Sequence, residues 1–200
     1  MKPAISRHTQ TDTKSLILAQ ALELLLTRSY VGLSFQELAD RVGIRKASLY
    51  HHFDSKESLG VALIDEAQTR FTQWTQRLAG QSATQKIAAY ILMFRNLVGA
   101  GHRVCPIGAT AGEWDCLEPA LQAAVQRLHD RHLDWLTDAV AQWNLPPDSE
   151  AAAADMLARQ RAMQINALLQ GAMLSARIQF DIAVFDAATA PLSASLQSLH

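Results

Sequence analysis

"SFQELADRVGIRKASLYHHFDSKESL", residues 34–59, decides how this chain is read. Ser34 followed three residues later by Glu37 has the pattern of a capping box. The hydroxyl would accept from the amide of Glu37, and the carboxylate would reach back to residue 34. Phe35, Leu38 and Ala39 fall on one helical face, and Gly43 supplies the residue type that ends a helix in a tight left-handed turn. A second short helix follows at about 45–52, anchored by Leu49 and Phe53 at i, i+4, with Val42 and Ile44 packing across the turn. Asp54 or Ser55 would then cap a longer helix with Glu57 in its first turn. Two short helices joined by a glycine turn make a helix-turn-helix, whose second helix is of the size the major groove admits.

The side chains left outside that packing are Arg45, Lys46, Ser48, Tyr50, His51 and His52. Arginine and lysine reach phosphates or guanine, and hydroxyls suit phosphate oxygens. Lys56 stands at the start of the next helix, where free amides also attract anions. A basic helix face is more often merely solvated. The capped, glycine-broken helix in front of this one favours a contact surface.

Working outward, the chain has 200 residues, 49% hydrophobic and 18% charged, which suits a folded helical protein with a sizeable core. No apolar run reaches the roughly 18 residues of a membrane span; "LILAQALELLL" is interrupted by Gln20 and Glu23. The first residues, "MKPAISRHTQTDTK", lack an apolar signal core, and two cysteines make no disulfide framework, so a reducing cytoplasm is expected. The net charge of −1 is unevenly spread: residues 1–60 hold eight Lys/Arg against six Asp/Glu, and residues 61–200 hold ten against thirteen.

Runs with period-2 alternation are missing, so an all-α fold is predicted. Helices are expected at about 13–29, with Leu18, Leu22, Leu25 and Leu26 on one stripe, then over the two short segments, and at 55–80, 84–99, 106–112, 117–144, 149–177 and 182–197. Gly80, Gly99–Gly101 and Pro146–Pro147 punctuate them, and Pro191 is expected to kink or end the last. Residues 1–54 are predicted to form a three-helix reading head and residues 55–200 a larger helical bundle.

The stretch from Leu33 to Asp65 resembles the DNA-binding signature of the TetR/AcrR family of transcriptional repressors. The matching residues are Ser34, Leu38–Ala39, Val42–Gly43–Ile44, Leu49–Tyr50, His52–Phe53, Ser55–Lys56–Glu57 and Leu59. The resemblance implies nine helices, a ligand-responsive second domain, a dimer built by the last two helices and a palindromic duplex as partner. Under it Ser34, Tyr50 and Lys56 become phosphate contacts, and Arg45, Lys46, Ser48 and His51 base or backbone contacts. Arg45 departs from the usual Ser or Thr cap, and Ala47 from the usual Gly or Pro.

The second dense stretch is "GAGHRVCPIGATAGEWDC", residues 99–116. Pro106 suits the first position of a short helix, which puts Cys105 at its N-cap. Free amides there, with His102 and Arg103 nearby, would favour a reactive thiolate. The contrary reading is a small buried residue. Cys-Pro-x-Gly also resembles a subgroup of the same family that responds to N-ethylmaleimide, whose matching cysteine senses electrophiles. A Cys105–Cys116 disulfide is conceivable.

A pocket for an unidentified small-molecule effector would draw on Trp74, Tyr90, Phe94, Trp114, Trp135 and Met163, with His129, His132 or Arg95 as polar contacts; the same residues would equally serve as plain core. His129 and His132 sit near Asp130 and Asp134, but no third metal ligand is evident, so a solvated face is expected there and no metal or cofactor. Ala167, Gly171 and Ser175, flanked by Leu168, Ala172 and Ile178, form a small-residue stripe that with Val184 and Phe185 suits a symmetric dimer contact. Two other classes remain: an enzyme using Cys105 as nucleophile and His102 as base, and a helix-turn-helix used only for protein contact. A base three residues away in a tight turn reaches poorly, so no enzyme is expected.

Overall fold

The structure is a computed structural model and describes residues 7–143 and 151–197. Nine α-helices run in the order α1 (Arg7–Arg28), α2 (Phe35–Val42), α3 (Lys46–Tyr50), α4 (Lys56–Arg77), α5 (Ala83–Val98), α6 (Pro106–Ala111), α7 (Pro119–Ala141), α8 (Ala151–Gln179) and α9 (Ile182–Gln197). A 3-10 turn at Trp114–Cys116 precedes α7, and there is no strand among the described residues. The all-α expectation holds. The Pro146–Pro147 punctuation lies outside the described residues.

Local chemistry sets the helix ends. Ser34 caps α2 by accepting from the Glu37 amide at 3.5 Å, yet the reciprocal half of the expected box is not formed. The Glu37 carboxylate is taken by two guanidinium groups, Arg28 and Arg41, the latter at 2.9 Å. Gly43 ends α2 at φ 75°, ψ 31°, and the amide of Ile44 returns to the carbonyl of Ala39. Only glycine takes that backbone readily. Ser55, rather than Asp54, caps α4, and its box closes with Ser58. Ser82 and Gln85 do the same for α5. Against expectation Pro191 does not end α9, which continues to Gln197 with the ring exposed.

α1 starts at Arg7, earlier than expected, because polar residues 7–12 give the sequence no apolar stripe to announce a helix. It packs against α2, α4 and α6, so it belongs to both halves of the molecule. The bundle is built around α7, which lies against α4 and α8, while α5 packs on α7, α8 and α9. Its core includes Ile64, Ile87, Tyr90, Phe94, Leu121, Leu136, Leu169 and Phe185, all essentially without exposure. The loop after α5 meets the α8–α9 turn so closely that a Cβ on Gly101 would lie 2.7 Å from the amide nitrogen of Asp181.

Candidate nucleic-acid interface and interior cavity

α2 and α3 are held by Leu38, Ala39, Leu49 and Phe53, all buried. Removing these apolar surfaces from water fixes the orientation of a helix of only five residues, too short to persist alone. With its inner side committed, α3 turns the rest outward. Arg45, Lys46, Tyr50 and His51 are exposed and Ser48 is half-buried. Neither Arg45 nor Lys46 has an ion-pair partner among the described residues. Arg45 occupies the N-cap of α3 with no side-chain cap bond, which leaves the guanidinium uncommitted. Tyr50 is steadied by the Phe35 ring, 5.2 Å between centroids, and its hydroxyl end stays open.

Lys56 is placed differently from the rest. Its ammonium donates to the carbonyl of Val31 at 3.0 Å and sits 4.6 Å above the Tyr30 ring. Burial pulls its pKa below the usual lysine range, while Glu113 and Glu118 push back. Around it the reading head is latched to the bundle. Tyr30 donates to Glu118 at 2.8 Å, the Val31 amide to Glu113 at 2.7 Å, and the Ala120 amide, at the start of α7, to Glu57 at 3.1 Å.

A cavity of about 370 Å³, open to solvent along α4, is cut into the bundle. Its walls are mostly apolar: Leu22 and Leu26 of α1, Phe71 and Trp74 of α4, Met93, Phe94 and Leu97 of α5, Ile107 of α6 and Leu128 of α7. Glu66, Arg70 and Arg77 of α4 also line it, and Arg70 is paired to Glu66 at 2.8 Å. Of the expected lining, Trp74, Phe94, Cys105 and His132 are present. The others are corrected. Trp114 sits in the 3-10 turn away from the cavity, its carbonyl accepting from Gln122. Tyr90 is buried behind His132, and Trp135 joins the aromatic cluster with Trp74 without reaching the cavity. Met163 is exposed on α8, and Arg95 is committed to Asp186 by two bonds of 2.7 and 2.8 Å. His129 stays on the surface beside Asp130. Of the lining residues that sequence reasoning did not name, Phe71 carried a signal, standing three residues before Trp74 on the same side of α4.

His132 overturns the expected solvated face. Its ring lies on Phe71 with centroids 3.7 Å apart and planes 12° apart, and its Nδ1 is 3.0 Å from the Tyr90 hydroxyl. That hydroxyl donates to Asn166 Oδ1 at 3.2 Å. Burial pushes the imidazole down to about 3 and holds the Tyr90 phenol above its usual range. Among the described residues no group of three or more His, Cys, Asp or Glu is arranged to hold a metal.

Cys105 caps α6 as its position before Pro106 suggested, with Sγ accepting from the Gly108 amide at 3.2 Å. The charge logic goes the other way. Burial raises the thiol pKa, only partly countered by the Gly108 and Gln170 contacts. Arg103 is diverted to Glu23 at 2.8 Å, and neither it nor His102 lines the cavity. The sulfur's partners are Gly108 and Gln170, not His102, so the expected pairing of Cys105 with His102 as base is not formed. Cys105 and Cys116 are both free, one buried and one exposed.

The N-terminal model of the tetR family of bacterial regulatory proteins matches residues 17–63. The C-terminal domain model of LmrA/YxaF-like transcriptional regulators matches residues 83–190, more than half of the chain. The chain belongs to the TetR family. Within that family it is 31% identical over 124 residues to the HTH-type transcriptional repressor NemR of Escherichia coli K12, a match covering 60% of this chain and 58% of the relative. A TetR-family regulator from Agrobacterium tumefaciens superposes with a TM-score of 0.81 at 28% identity, covering 92% and 97% of the two chains. The reduced form of E. coli NemR superposes at 0.71 and 24% identity, covering 90% and 96%. AibR, solved with isovaleryl coenzyme A and operator DNA, shares the fold at a TM-score of 0.60 and 20% identity, covering 79% and 84%. No described helix of this TetR-family chain is long and apolar enough to cross a membrane.

Proposed function

We propose that this chain is a homodimeric transcriptional repressor that grips a palindromic operator and lets go when a small molecule enters its bundle. One observation carries the reading: α3 rests on Leu49 and Phe53 and turns a cationic, hydroxyl-bearing surface outward with no protein group to neutralise it. Arg45, Lys46, Ser48 and His51 face base edges or backbone in the major groove, and Ser34, Tyr50 and Lys56 hold phosphates. The reading head comprises residues 1–54 and the effector and dimer unit residues 55–200.

A second copy supplies the other half-site. The outer side of α8 carries Met163, Leu168, Leu174 and Ile178, all exposed in the single chain, around the small residues Ala167, Gly171 and Ser175. An apolar stripe of this length calls for a partner, and self-association through α8 and α9 matches the two-fold symmetry of a palindrome. The expected roles of Ala172 and Phe185 in that contact are withdrawn, because both are already buried within the chain.

The experiment is selection of bound duplexes from a random pool, followed by competition with random DNA over a salt series. A selected palindrome should bind at least a hundredfold tighter than random sequence, with affinity falling steeply in salt. Equal affinity for all duplexes removes the function. A second trigger is favoured by the place of Cys105 on the cavity wall: an apolar α,β-unsaturated aldehyde held there would take the sulfur at its β-carbon, the C=C π bond opening and the thiol proton passing to the α-carbon. Because burial keeps the thiol protonated, iodoacetamide labelling should rise only at alkaline pH. DNA release by aldehydes that survives Cys105→Ser discards this trigger.

A further inference from the structure

The cavity wall holds a histidine, His132, whose hydrogen-bonding role follows from the partner that Tyr90 takes. Tyr90 has a single hydroxyl proton and gives it to Asn166 Oδ1. With that proton given to Asn166, the Tyr90 oxygen, 3.0 Å from His132 Nδ1, is left to accept, and the tautomer that satisfies both contacts carries its proton on Nδ1. A neutral imidazole has only one N–H, so Nε2 presents a bare lone pair. Nε2 has no hydrogen-bond partner among the described residues, and His132 is a half-buried residue that lines the cavity. A half-turn of the ring would keep the stack on Phe71 but break the contact of Nδ1 with the Tyr90 hydroxyl, so it is that contact which holds the ring's orientation.

We propose that the cavity takes a flat, largely apolar molecule bearing one neutral hydrogen-bond donor, a phenol or aromatic alcohol, and delivers that donor to His132 Nε2. The inference rests on reading the cavity as the effector site and names the ligand class. Phe71, Trp74 and Phe94 offer aromatic walls, and about 370 Å³ accommodates a one- or two-ring molecule. A carboxylate at His132 meets a lone pair instead of a proton, and a charged group finds its partners among Glu66, Arg70 and Arg77 on the α4 wall instead, so the nitrogen itself favours a neutral donor. A carbonyl ligand meets the same lone pair. Burial, which keeps the ring from taking up a proton, removes the one way the site could turn into a donor near neutral pH. An unmet acceptor in such surroundings discriminates strongly, because a ligand lacking the donor displaces water and leaves the nitrogen unsatisfied.

The test is isothermal titration of the full-length protein with 1-naphthol, 1-methoxynaphthalene and 1-naphthaldehyde, which share a ring system and differ at the handle. Naphthol should bind about tenfold tighter than either congener. His132→Phe, which keeps an aromatic ring on Phe71, should bring the three within about twofold. Tyr90→Phe, which unlocks the tautomer, should raise the affinity of the aldehyde relative to naphthol. Methoxynaphthalene or the aldehyde binding wild type as tightly as naphthol overturns the donor assignment and leaves the cavity a ligand site. If none of the three binds a protein that still grips its selected duplex, the cavity reading itself falls, and this assignment with it.

Discussion

Histidine 132 is held neutral in the fold and would take a proton in the unfolded chain. Its folded pKa of about 3 lies below the ordinary value of 6.5. The unfolded state thus binds more protons in between, so stability is full above about pH 6.5 and declines as pH falls toward 3. At about pH 5.5 the expected loss is about 1.4 kcal/mol, read as a drop in the urea midpoint relative to about pH 7.5. In His132→Phe the contribution of this site to that slope should vanish. A wild-type midpoint that does not move would mean that the ring is protonated in the fold. Single residues were unevenly legible. Leu49, Phe53 and the N-cap place of Cys105 followed from spacing and from Pro106. His129 and His132 did not, because an i, i+3 pair shares a helix side and only the neighbouring Phe71 decides which of the two turns inward. The thiol's direction failed for a related reason: Arg103, counted as a nearby charge, had a better partner in Glu23, 80 residues earlier in the chain.

At the scale of elements, the turn between α2 and α3 was readable from Gly43 alone. A Cβ there would meet nothing within 4 Å, so Gly43→Ala tests backbone strain without steric overlap. At φ 75° it should cost about 1 kcal/mol in denaturant unfolding. Ser55→Ala, which opens the α4 capping box, should also cost about 1 kcal/mol. Lys56, at the first position of α4, is the sharper probe. Lys56→Ala should weaken binding to every duplex and lower the slope of log affinity against log salt by about one unit. An unchanged slope would assign the ammonium to its contact with the Val31 carbonyl alone. The element that sequence misjudged was the start of α2. Glu37 satisfies the spacing of a capping box, but two arginines compete for its carboxylate, and charged partners outbid a backbone amide.

Across the whole molecule, the helix order was legible because glycines, prolines and caps mark most boundaries. The packing was not, since periodicity identifies a stripe without naming what covers it. Ala167, Gly171 and Ser175 stood out as small residues, yet the bulky neighbours that remain open, above all Ile178 at 79% exposure, are found only in three dimensions. Replacing Leu174 and Ile178 with glutamate should convert the proposed dimer to a monomer in sedimentation, abolish binding to a palindrome and leave helical circular dichroism intact. A double variant that stays dimeric would move the interface elsewhere.

α1 has the last consequence. Leu22 and Leu26 form part of the inner room, and the backbone of the same turn is grasped from the bundle by the Val104 amide at the Leu26 carbonyl and by Arg177 at the Thr27 carbonyl. The same rod also packs against α2, the first of the pair of helices that carries the DNA-reading surface. In the proposed reading, guest and operator would lean on a single continuous beam. A molecule that swells the chamber need not send its message through a relay of side chains, since it already pushes on timber that the reading head is nailed to.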